Sequence, residues 1–246
     1  MSIIDDLLSS LAFNVPVRDI RVGKHWTAVA VEKPAGTCGG IATSSIGIER
    51  ECEGQPCVRE AGQLLERTAF ELAQLVRSDN VVEASVGMAT INALLNVDEA
   101  ACVEMNAENI ILQRGAGKRV ALVGHFPFVP RIRQAVKTLW VLELHPREGD
   151  LPAAQAVDAI PEADVVAITG STLLNHTFEG LLSLCQPSAY VLVLGGSTPL
   201  SPLFFDHGVS AVAGTQVVDM QAVLHAVSQG ATFRQIPGKR LLTILR

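Results

Sequence analysis

The stretch 164-DVVAITGSTLLNHTFEGLLSLC-185 decides the fold class, because it joins a strand pattern to a helix pattern through small polar residues. The apolar run DVVAITG (164–170) is typical of a buried strand, and LLNHTFEGLLSLC (173–185) has the apolar spacing of a helix. Between the two patterns stand Thr169, Gly170, Ser171 and Thr172. Hydroxyl groups at this position either cap the helix or hold a ligand.

The same alternation continues on both sides of this stretch, from residue 118 to the C-terminus. Further strands are predicted at 119–126, 138–145, 189–196 and 209–214, with a last edge strand at 239–246, and further helices at 129–136, 151–160 and 219–230. Strands that alternate with helices over short links predict an α/β fold with a parallel, doubly wound sheet.

The residues before this region predict a smaller α+β domain. Alternating residues at 18–32 predict two strands around a turn at Gly23-Lys24, and the Gly- and Cys-rich segment 33–58 begins as a loop or an irregular strand. Helices are predicted at 60–77 and 81–96, the boundary within 104–117, and the two domains at 1–110 and 111–246.

The composition argues against two classes of partner. The net charge is −6 and the sequence has no basic stripe with aromatic neighbours, so we expect no nucleic-acid binding. No apolar run reaches the roughly 18 residues of a membrane span. The N-terminal MSIIDDLLSSLAF carries acids where a signal peptide is basic. We therefore expect a cytoplasmic protein without membrane contact, whose apolar composition leaves homo-oligomerisation open.

Polar motifs follow several predicted strands, and ligands bind at this edge of an open parallel sheet. The motif 195-GGST-198 repeats the design of 169-TGST-172, in which glycine permits close approach and hydroxyl and N–H groups hold an anion. Helix capping, worth about 1 kcal/mol, explains one such motif, but two at one edge favour a polar pocket. Asn175 and Thr177 join them because helix propensity does not select them there. The ligand-binding candidates of these two motifs are Thr169, Gly170, Ser171, Thr172, Asn175, Thr177, Gly196, Ser197 and Thr198.

Gly124 and Glu143 stand where a dinucleotide-binding fold has its glycines and, about 20 residues later, its ribose-binding acid. The turn 124-GHFPF-128 is not GxGxxG, however, and its bulky residues obstruct a pyrophosphate, so an ordinary NAD site is not expected. Gly124, His125 and Glu143 are kept as ligand-binding candidates. Glu143 either contacts a nucleoside, a sugar or a cationic group, or is an exposed acid at a strand end.

In the first domain, 87-GMATINALLN-96 places Asn92 and Asn96 four residues apart on one helix face. Amides in this position line a cleft or tie down a loop, and Asn96 suits the end of the helix. Asn92 is therefore the ligand-binding candidate of this domain.

Candidates for metal ligation are dispersed. Cys52 and Cys57 are separated by four residues, which is wider than the usual pair in a structural zinc site. Cys38 lies in a Gly-rich segment and suits a soft ligand or a thiolate nucleophile. The metal candidates are Cys38, Cys52, Cys57 and His125. The alternative is that each cysteine is an ordinary thiol, and their odd number argues against a disulfide framework.

Several motifs together resemble one known family. They are GHFPF (124–128), VLELHPREGDLP (141–152), ADVVAITGSTLLNHT (163–177) and GGSTPLSPLFFDHGVSAVAGTQVVD (195–219), with SVGMATINALLN (85–96) upstream. Over nearly its whole length the chain is similar to the "putative heavy-metal chelation" domain family. The resemblance implies an enolase-N-terminal-like α+β domain, a Rossmann-like domain with a parallel sheet, and a cleft between them. His176 departs from the pattern, which has a small residue there, typically glycine.

Three functional hypotheses follow. In the first, the cleft binds a small polar ligand, a transition or heavy metal, or a metal complex. In the second, the chain is a transferase or lyase for a phosphorylated or carboxylated metabolite, with His125 or Glu143 as the acid–base group. In the third, it is a metallochaperone or interaction partner whose segment 33–58 delivers the metal. The cofactor and the existence of a catalytic activity stay open.

Overall fold

The computed structural model describes residues 2–12, 14–45 and 57–246. The N-terminal part contains a three-stranded antiparallel sheet of β1 (Val17–Val22), β2 (Trp26–Lys33) and β3 (Gly36–Thr43), in that order. Both strands of the predicted hairpin are confirmed. β3 is a regular strand rather than a loop or an irregular strand, because all of its residues pair with β2 despite its glycines.

Three helices accompany this sheet, namely α1 (Ile3–Ser9), α2 (Ala69–Gln74) and α3 (Val81–Leu94). The predicted helix 60–77 is shorter than expected, because 3-10 turns at Leu64–Glu66 and Leu75–Arg77 stand on either side of α2. The predicted helix 81–96 is confirmed. Asn80 caps its N-terminus by accepting hydrogen bonds from two backbone N–H groups, and the helix then packs along β2 and β3.

The C-terminal part is built on an eight-stranded sheet of order β4-β11-β10-β9-β8-β5-β6-β7. Its strands are β4 (Cys102–Val103), β5 (Arg119–Val123), β6 (Thr138–Glu143), β7 (Leu151–Pro152), β8 (Val165–Thr169), β9 (Tyr190–Leu194), β10 (Ala211–Val217) and β11 (Lys239–Leu245). Neighbouring strands in the part β10-β9-β8-β5-β6-β7 of this order run parallel to each other. β11 is antiparallel to both of its neighbours, β10 and β4. The predicted mixed α/β fold is confirmed. β11, expected at the edge, is partly covered by β4, which lies before the predicted boundary at residue 110.

The helices of this part are α4 (Ala107–Gly115), α5 (Val129–Ala135), α6 (Ala156–Ala159), α7 (Phe178–Ser183) and α8 (Met220–Ser228). None of the helices in the described ranges is long and apolar enough to cross a membrane.

The strand order places a topological switch point between β5 and β8. From β5 the chain continues to β6 and β7 on one side, and it then returns to β8 on the other side. Connections leave the two central strands in opposite directions, which opens a crevice at their carboxyl ends. The predicted candidates Gly124 and Thr169 stand at these two ends.

The two parts share one hydrophobic core. Ile3 and Met88 from the N-terminal part belong to the same buried cluster as Ile168 and Phe178 from the C-terminal part. Phe178 meets Phe204 edge to face, with ring centroids 5.8 Å apart. Continuous apolar packing holds the small sheet in a fixed position beside the carboxyl ends of the larger one.

Candidate functional site

A cavity of about 970 Å³ lies at the carboxyl ends of β5, β6, β8 and β9. Residues of the small sheet close it on one side, where Trp26, Thr43 and Ser45 contribute to the wall. Its size falls within the range of small-molecule sites in proteins. The crevice expected from the strand order is therefore a cavity that both parts of the chain enclose.

Most of the predicted ligand-binding residues meet at this cavity. Its wall includes Gly124, His125, Glu143, Thr169, Ser171, Thr172, Asn175, Thr177, Gly196 and Ser197. Gly170, Thr198 and Asn92 lie behind this wall and do not line it. What the lining residues bind stays a prediction.

The TGST motif both caps a turn and lines the cavity. Thr169 is the N-cap of a 3-10 turn over Gly170–Leu173, and its Oγ1 accepts a hydrogen bond from the N–H of Ser171. The Oγ atoms of Thr169 and Ser171 are 3.0 Å apart, and Thr172 Oγ1 donates to the Thr169 carbonyl. The hydroxyl of Thr172 thus donates its hydrogen bond within the turn, whereas the hydroxyl groups of Thr169 and Ser171 form a pair at the cavity wall.

The predicted helix 173–185 begins later than expected, because a turn interrupts it. α7 starts at Phe178, and His176 has a left-handed backbone with a φ of 59°. In this turn Thr177 Oγ1 donates to Asn175 Oδ1 at 2.7 Å, so the two side chains pair with each other rather than along a helix face. The left-handed φ explains the glycine expected at position 176.

The GGST motif joins the two parts of the chain. Ser197 is buried, and its Oγ accepts a hydrogen bond from the Thr43 N–H of β3 at 2.9 Å. A Cβ on Gly196 would lie 2.6 Å from the Trp26 ring, so the missing side chain lets that ring sit at the cavity wall. The nearby Thr198 Oγ1 is buried and has no hydrogen-bond partner in the described ranges.

Asn92 serves the same junction, which explains its place behind the wall. Its Nδ2 donates to the carbonyl of Ile41 at 2.9 Å and to the carbonyl of Ser197 at 3.2 Å. The side chain therefore ties a loop to a strand, which is the structural alternative considered for this amide.

Glu143 organises the turn that follows β5. Its Oε1 accepts a hydrogen bond from the His125 N–H at 2.7 Å, and its Oε2 accepts one from the Leu144 N–H at 3.0 Å. Glu143 is thus neither a free strand-end acid nor wholly available to a ligand. By holding the His125 backbone, it fixes where the imidazole enters the cavity.

His125 is paired with an acid that the sequence did not suggest. Its Nδ1 lies 2.8 Å from Oδ2 of Asp150, whose side chain is 1% exposed. Asp150 Oδ2 also accepts a hydrogen bond from the Arg147 N–H at 3.1 Å. No local motif marks Asp150, because its partner lies 25 residues away. Only the adjacency of β6 and β7 brings the two residues together.

Aromatic rings line the cavity and were also missed. Trp26 and Phe233 pack with ring centroids 5.0 Å apart, and Phe126 and Phe128 stack nearly parallel at 5.1 Å. Phe126 and Phe128 both come from the turn between β5 and α5, and Phe233 comes from a 3-10 turn. A strand pattern does not predict the positions of these rings. A planar ligand finds stacking partners on such walls.

Charged groups complete the wall. The cavity is also lined by Arg131, Arg147 and Arg234. Arg131 pairs with the buried carboxylate of Glu108, with Nε 2.8 Å from Oε1, while its side chain remains largely exposed. Guanidinium groups at a cavity mouth favour an anionic ligand.

The predicted metal ligands that the structure describes, Cys38, Cys57 and His125, do not form a cluster. Among residues 2–12, 14–45 and 57–246, no group of three or more His, Cys, Asp or Glu side chains is arranged to hold a metal ion. Cys38 is a free thiol in β3. Cys57 is held in a disulfide, which corrects the expectation of an unpaired thiol there. Cys52 lies outside the described residues.

The comparisons with known proteins agree with this architecture. A family model described as "Putative heavy-metal chelation" (DUF364) matches residues 106–246. The chain belongs to this family. A second model with the same description (DUF4213) matches residues 4–95. The two matches leave residues 96–105 between them.

Relatives of known sequence or structure extend over nearly the whole chain. An uncharacterised protein of Methanocaldococcus jannaschii is 29% identical over 229 residues, which are 89% of this chain and 85% of that protein. A crystal structure of a family member with unknown function from Desulfitobacterium hafniense has 25% identity and a TM-score of 0.84, and the match covers 99% of this chain and 98% of that one. Another, from Pyrococcus horikoshii, has 20% identity, a TM-score of 0.82 and the same coverage, and it shows the shared fold.

Proposed function

We propose that the cavity binds a small organic ligand with a planar ring and polar substituents, and that a heavy metal reaches the protein as a complex of such a ligand. The observation that carries this proposal is the cavity itself. It joins two aromatic pairs, a hydroxyl pair and three arginines at a topological switch point.

The aromatic pairs support a planar ligand. Trp26 and Phe233 belong to one pair, and Phe126 and Phe128 belong to the other. The chain has only two tryptophans, and one of them lies at this wall. Offset stacking on such rings contributes about 0.5–1.5 kcal/mol beyond the burial of apolar area.

The polar groups support substituents that accept or donate hydrogen bonds. Ser171 and Thr169 present a hydroxyl pair, and Arg147 and Arg234 supply positive charge to the same cavity. A few placed polar groups on a mainly apolar wall are typical of sites that select a ligand by orientation.

The donor set supports delivery of a metal as a complex. Soft metals prefer several thiolate or imidazole ligands, and no cluster of three such side chains occurs in the described ranges. His125, the candidate that lines the cavity, already has its Nδ1 on Asp150. An organic chelator would supply the donors to the metal itself, without a ligand from the protein.

The test uses Trp26 as a reporter of ligand binding. Trp140, in β6, does not line the cavity, so the Trp140→Phe variant leaves Trp26 as the single tryptophan, whose fluorescence is excited selectively. We expect 4-nitrophenol, a planar ring with one hydroxyl, to quench this fluorescence in a saturable way. In the same background, Thr169→Ala with Ser171→Ala should weaken binding about tenfold, the loss of roughly one good hydrogen bond.

A matched control and a second measurement complete the test. Ser183→Ala removes an exposed hydroxyl from α7 and should leave the quenching curve unchanged. Native mass spectrometry of protein purified without chelator or added metal should show an organic mass, with or without a metal, rather than a metal ion alone. Absence of saturable quenching, or a metal ion as the only adduct, would contradict the proposal.

A further inference from the structure

We infer that His125 and Asp150 form a proton-accepting pair that removes a proton from a hydroxyl group of the cavity ligand. This inference rests on the proposed function, since it requires a ligand in the cavity. It assigns a proton-transfer activity to the site and limits the ligand to compounds with an acidic O–H, such as a phenol or an enol.

The hydrogen bond between the two side chains fixes the tautomer of the imidazole. Asp150 is buried, and its Oδ2 accepts from both His125 Nδ1 and the Arg147 N–H. An ionised carboxylate only accepts hydrogen bonds, so the proton of the neutral imidazole resides on Nδ1. Nε2 therefore carries the lone pair.

That lone pair is available to the cavity. His125 is 19% exposed and lines the wall, and Nε2 has no hydrogen-bond partner in the described ranges. The backbone of the residue is held by Glu143, whose two carboxylate oxygens both accept from backbone N–H groups. His125, rather than Glu143, is thus the group with an unoccupied basic atom.

The carboxylate of Asp150 is only partly hydrogen-bonded. Its Oδ1 is buried and has no hydrogen-bond partner in the described ranges. A buried carboxylate with one free oxygen is poorly solvated, and an imidazolium at 2.8 Å stabilises it. The carboxylate thus orients the imidazole and faces the positive charge that a proton on Nε2 creates.

The proton transfer is balanced without another reactant. The ligand O–H bond breaks, the proton binds Nε2, and the electron pair remains on the ligand oxygen. The products are an oxyanion and an imidazolium, and the reverse transfer restores both. Besides Asp150 and Glu143, the charged or titratable groups near His125 on the cavity wall are Glu108, His145, Arg131, Arg147 and Arg234. Arg131 is paired with Glu108, so Arg147 and Arg234 are the cations that favour the oxyanion.

The test follows the colour of 4-nitrophenol, since its phenolate is yellow and the phenol is colourless. With protein in excess near neutral pH, we expect binding to raise the ratio of phenolate to phenol on the order of tenfold, as a neighbouring cation lowers an acid's pKa by about one unit or more. Trp26 quenching in the Trp140→Phe background reports binding separately. 4-Nitroanisole, which lacks the hydroxyl, should quench without any colour change.

Three variants identify the acceptor. His125→Gln should bind the probe and lose the increase in phenolate. Asp150→Asn should lose most of it, because an amide can donate to Nδ1 and so favours the proton on Nε2. His225→Gln removes an exposed histidine of α8 that does not line the cavity and should behave as the parent does.

The possible outcomes distinguish a failure of the proton-accepting pair from a failure of the proposed function. Quenching without extra phenolate in the parent protein overturns the proton-accepting pair and leaves the proposed function standing. Extra phenolate that survives in His125→Gln assigns the effect to the arginines and also overturns it. No quenching by either probe contradicts the proposed function itself.

Discussion

The glycine pairs Gly39-Gly40 and Gly195-Gly196 look alike in the sequence, but they have different roles in the two parts of the molecule. In β3, a Cβ on Gly40 would lie 2.1 Å from the Ala89 carbonyl oxygen, so the glycine brings a strand directly onto the backbone of α3. After β9, Gly196 makes room for the rings of Trp26 and Phe233. One pair builds a tightly packed interior, and the other shapes the wall of a cavity. The structural role of a glycine therefore depends on the residues that surround it in the folded chain.

The largest effect is expected where backbone meets backbone. Gly40→Ala should lower the free energy of unfolding by about 3 kcal/mol, because neither the strand nor α3 can move aside without loss of packing. Urea denaturation followed by circular dichroism measures the change. Gly180→Ala in α7, where no atom lies within 4 Å of the added methyl, is the control and should be neutral or slightly stabilising. A decrease in the free energy of unfolding of less than about 1 kcal/mol for Gly40→Ala would show that β3 and α3 can move apart to accept the methyl group.

The start of α3 offers an electrostatic test of the same tightly packed region. Burial alone would raise the pKa of Glu83, but hydrogen bonds from the side chain and backbone of Arg59 and from Ser78 outweigh it, and the pKa is lowered. A lowered folded-state pKa means that the carboxylate stabilises the fold above the ordinary value of 4.5. The stabilisation is lost as the pH falls through the folded-state pKa.

Glu83→Gln should therefore cost about 2 kcal/mol of unfolding free energy at neutral pH, the worth of a hydrogen bond to a charged group. The difference between parent and variant should shrink once the pH is well below 4.5, where the parent carboxyl is also neutral. Urea denaturation at both pH values measures it. A difference that does not change with pH would assign the effect to packing rather than to charge.

At the cavity, the same kind of substitution should cost less, since side chains rather than backbone must move. Gly196→Ala is expected to lower the free energy of unfolding by about 1–2 kcal/mol, as the added methyl displaces the ends of two rings. In the Trp140→Phe background the emission of Trp26 should shift, and affinity for 4-nitrophenol should fall. Unchanged emission would show that the aromatic pair does not rest on this glycine.

The sequence predicts those strands that local composition marks, and it does not predict those that depend on neighbours in space. Apolar strand runs and short links predict the parallel sheet, because buried strands such as β5 and β8 are marked by local composition. The regularity of β3 is not predicted, since Gly39 and Gly40 give no strand signal. Gly40 leaves room for the backbone of α3, and Gly39 leaves room for the Met220 side chain of α8.

The candidate site was predictable to the extent that strand ends define it. Thr169 and Glu143 are the last residues of β8 and β6, and Ser171 comes two residues after Thr169. The parallel topology gathers all three at one edge of the sheet. Phe233 lines the cavity and Asp150 contacts the lining residue His125. Both stand in chain connections whose course depends on tertiary packing, so no local pattern marks them. Contacts that span long separations in sequence are the part that pattern analysis cannot supply.

The smallest effect is expected at the turn that links the cavity to the tightly packed region. His176 has a φ of 59°, and its Nε2 lies 3.1 Å from the Ser78 carbonyl oxygen at the end of the segment before α3. Both His176→Gly and His176→Ala remove the imidazole, but only glycine adopts the left-handed backbone without cost. His176→Gly should therefore be more stable than His176→Ala by about 1 kcal/mol in urea denaturation.

The free energy of unfolding of the parent, compared with those of the two variants, then measures the hydrogen bond between His176 and Ser78, which joins the two parts of the chain. A parent more stable than His176→Gly shows that the hydrogen bond to Ser78 outweighs the backbone strain at this exposed turn. A parent equal to His176→Ala shows that the imidazole contributes nothing and that the turn is held by Asn175 and Thr177 alone. Equal stability of the two variants would contradict the left-handed conformation itself, and with it the reason for a glycine at this position.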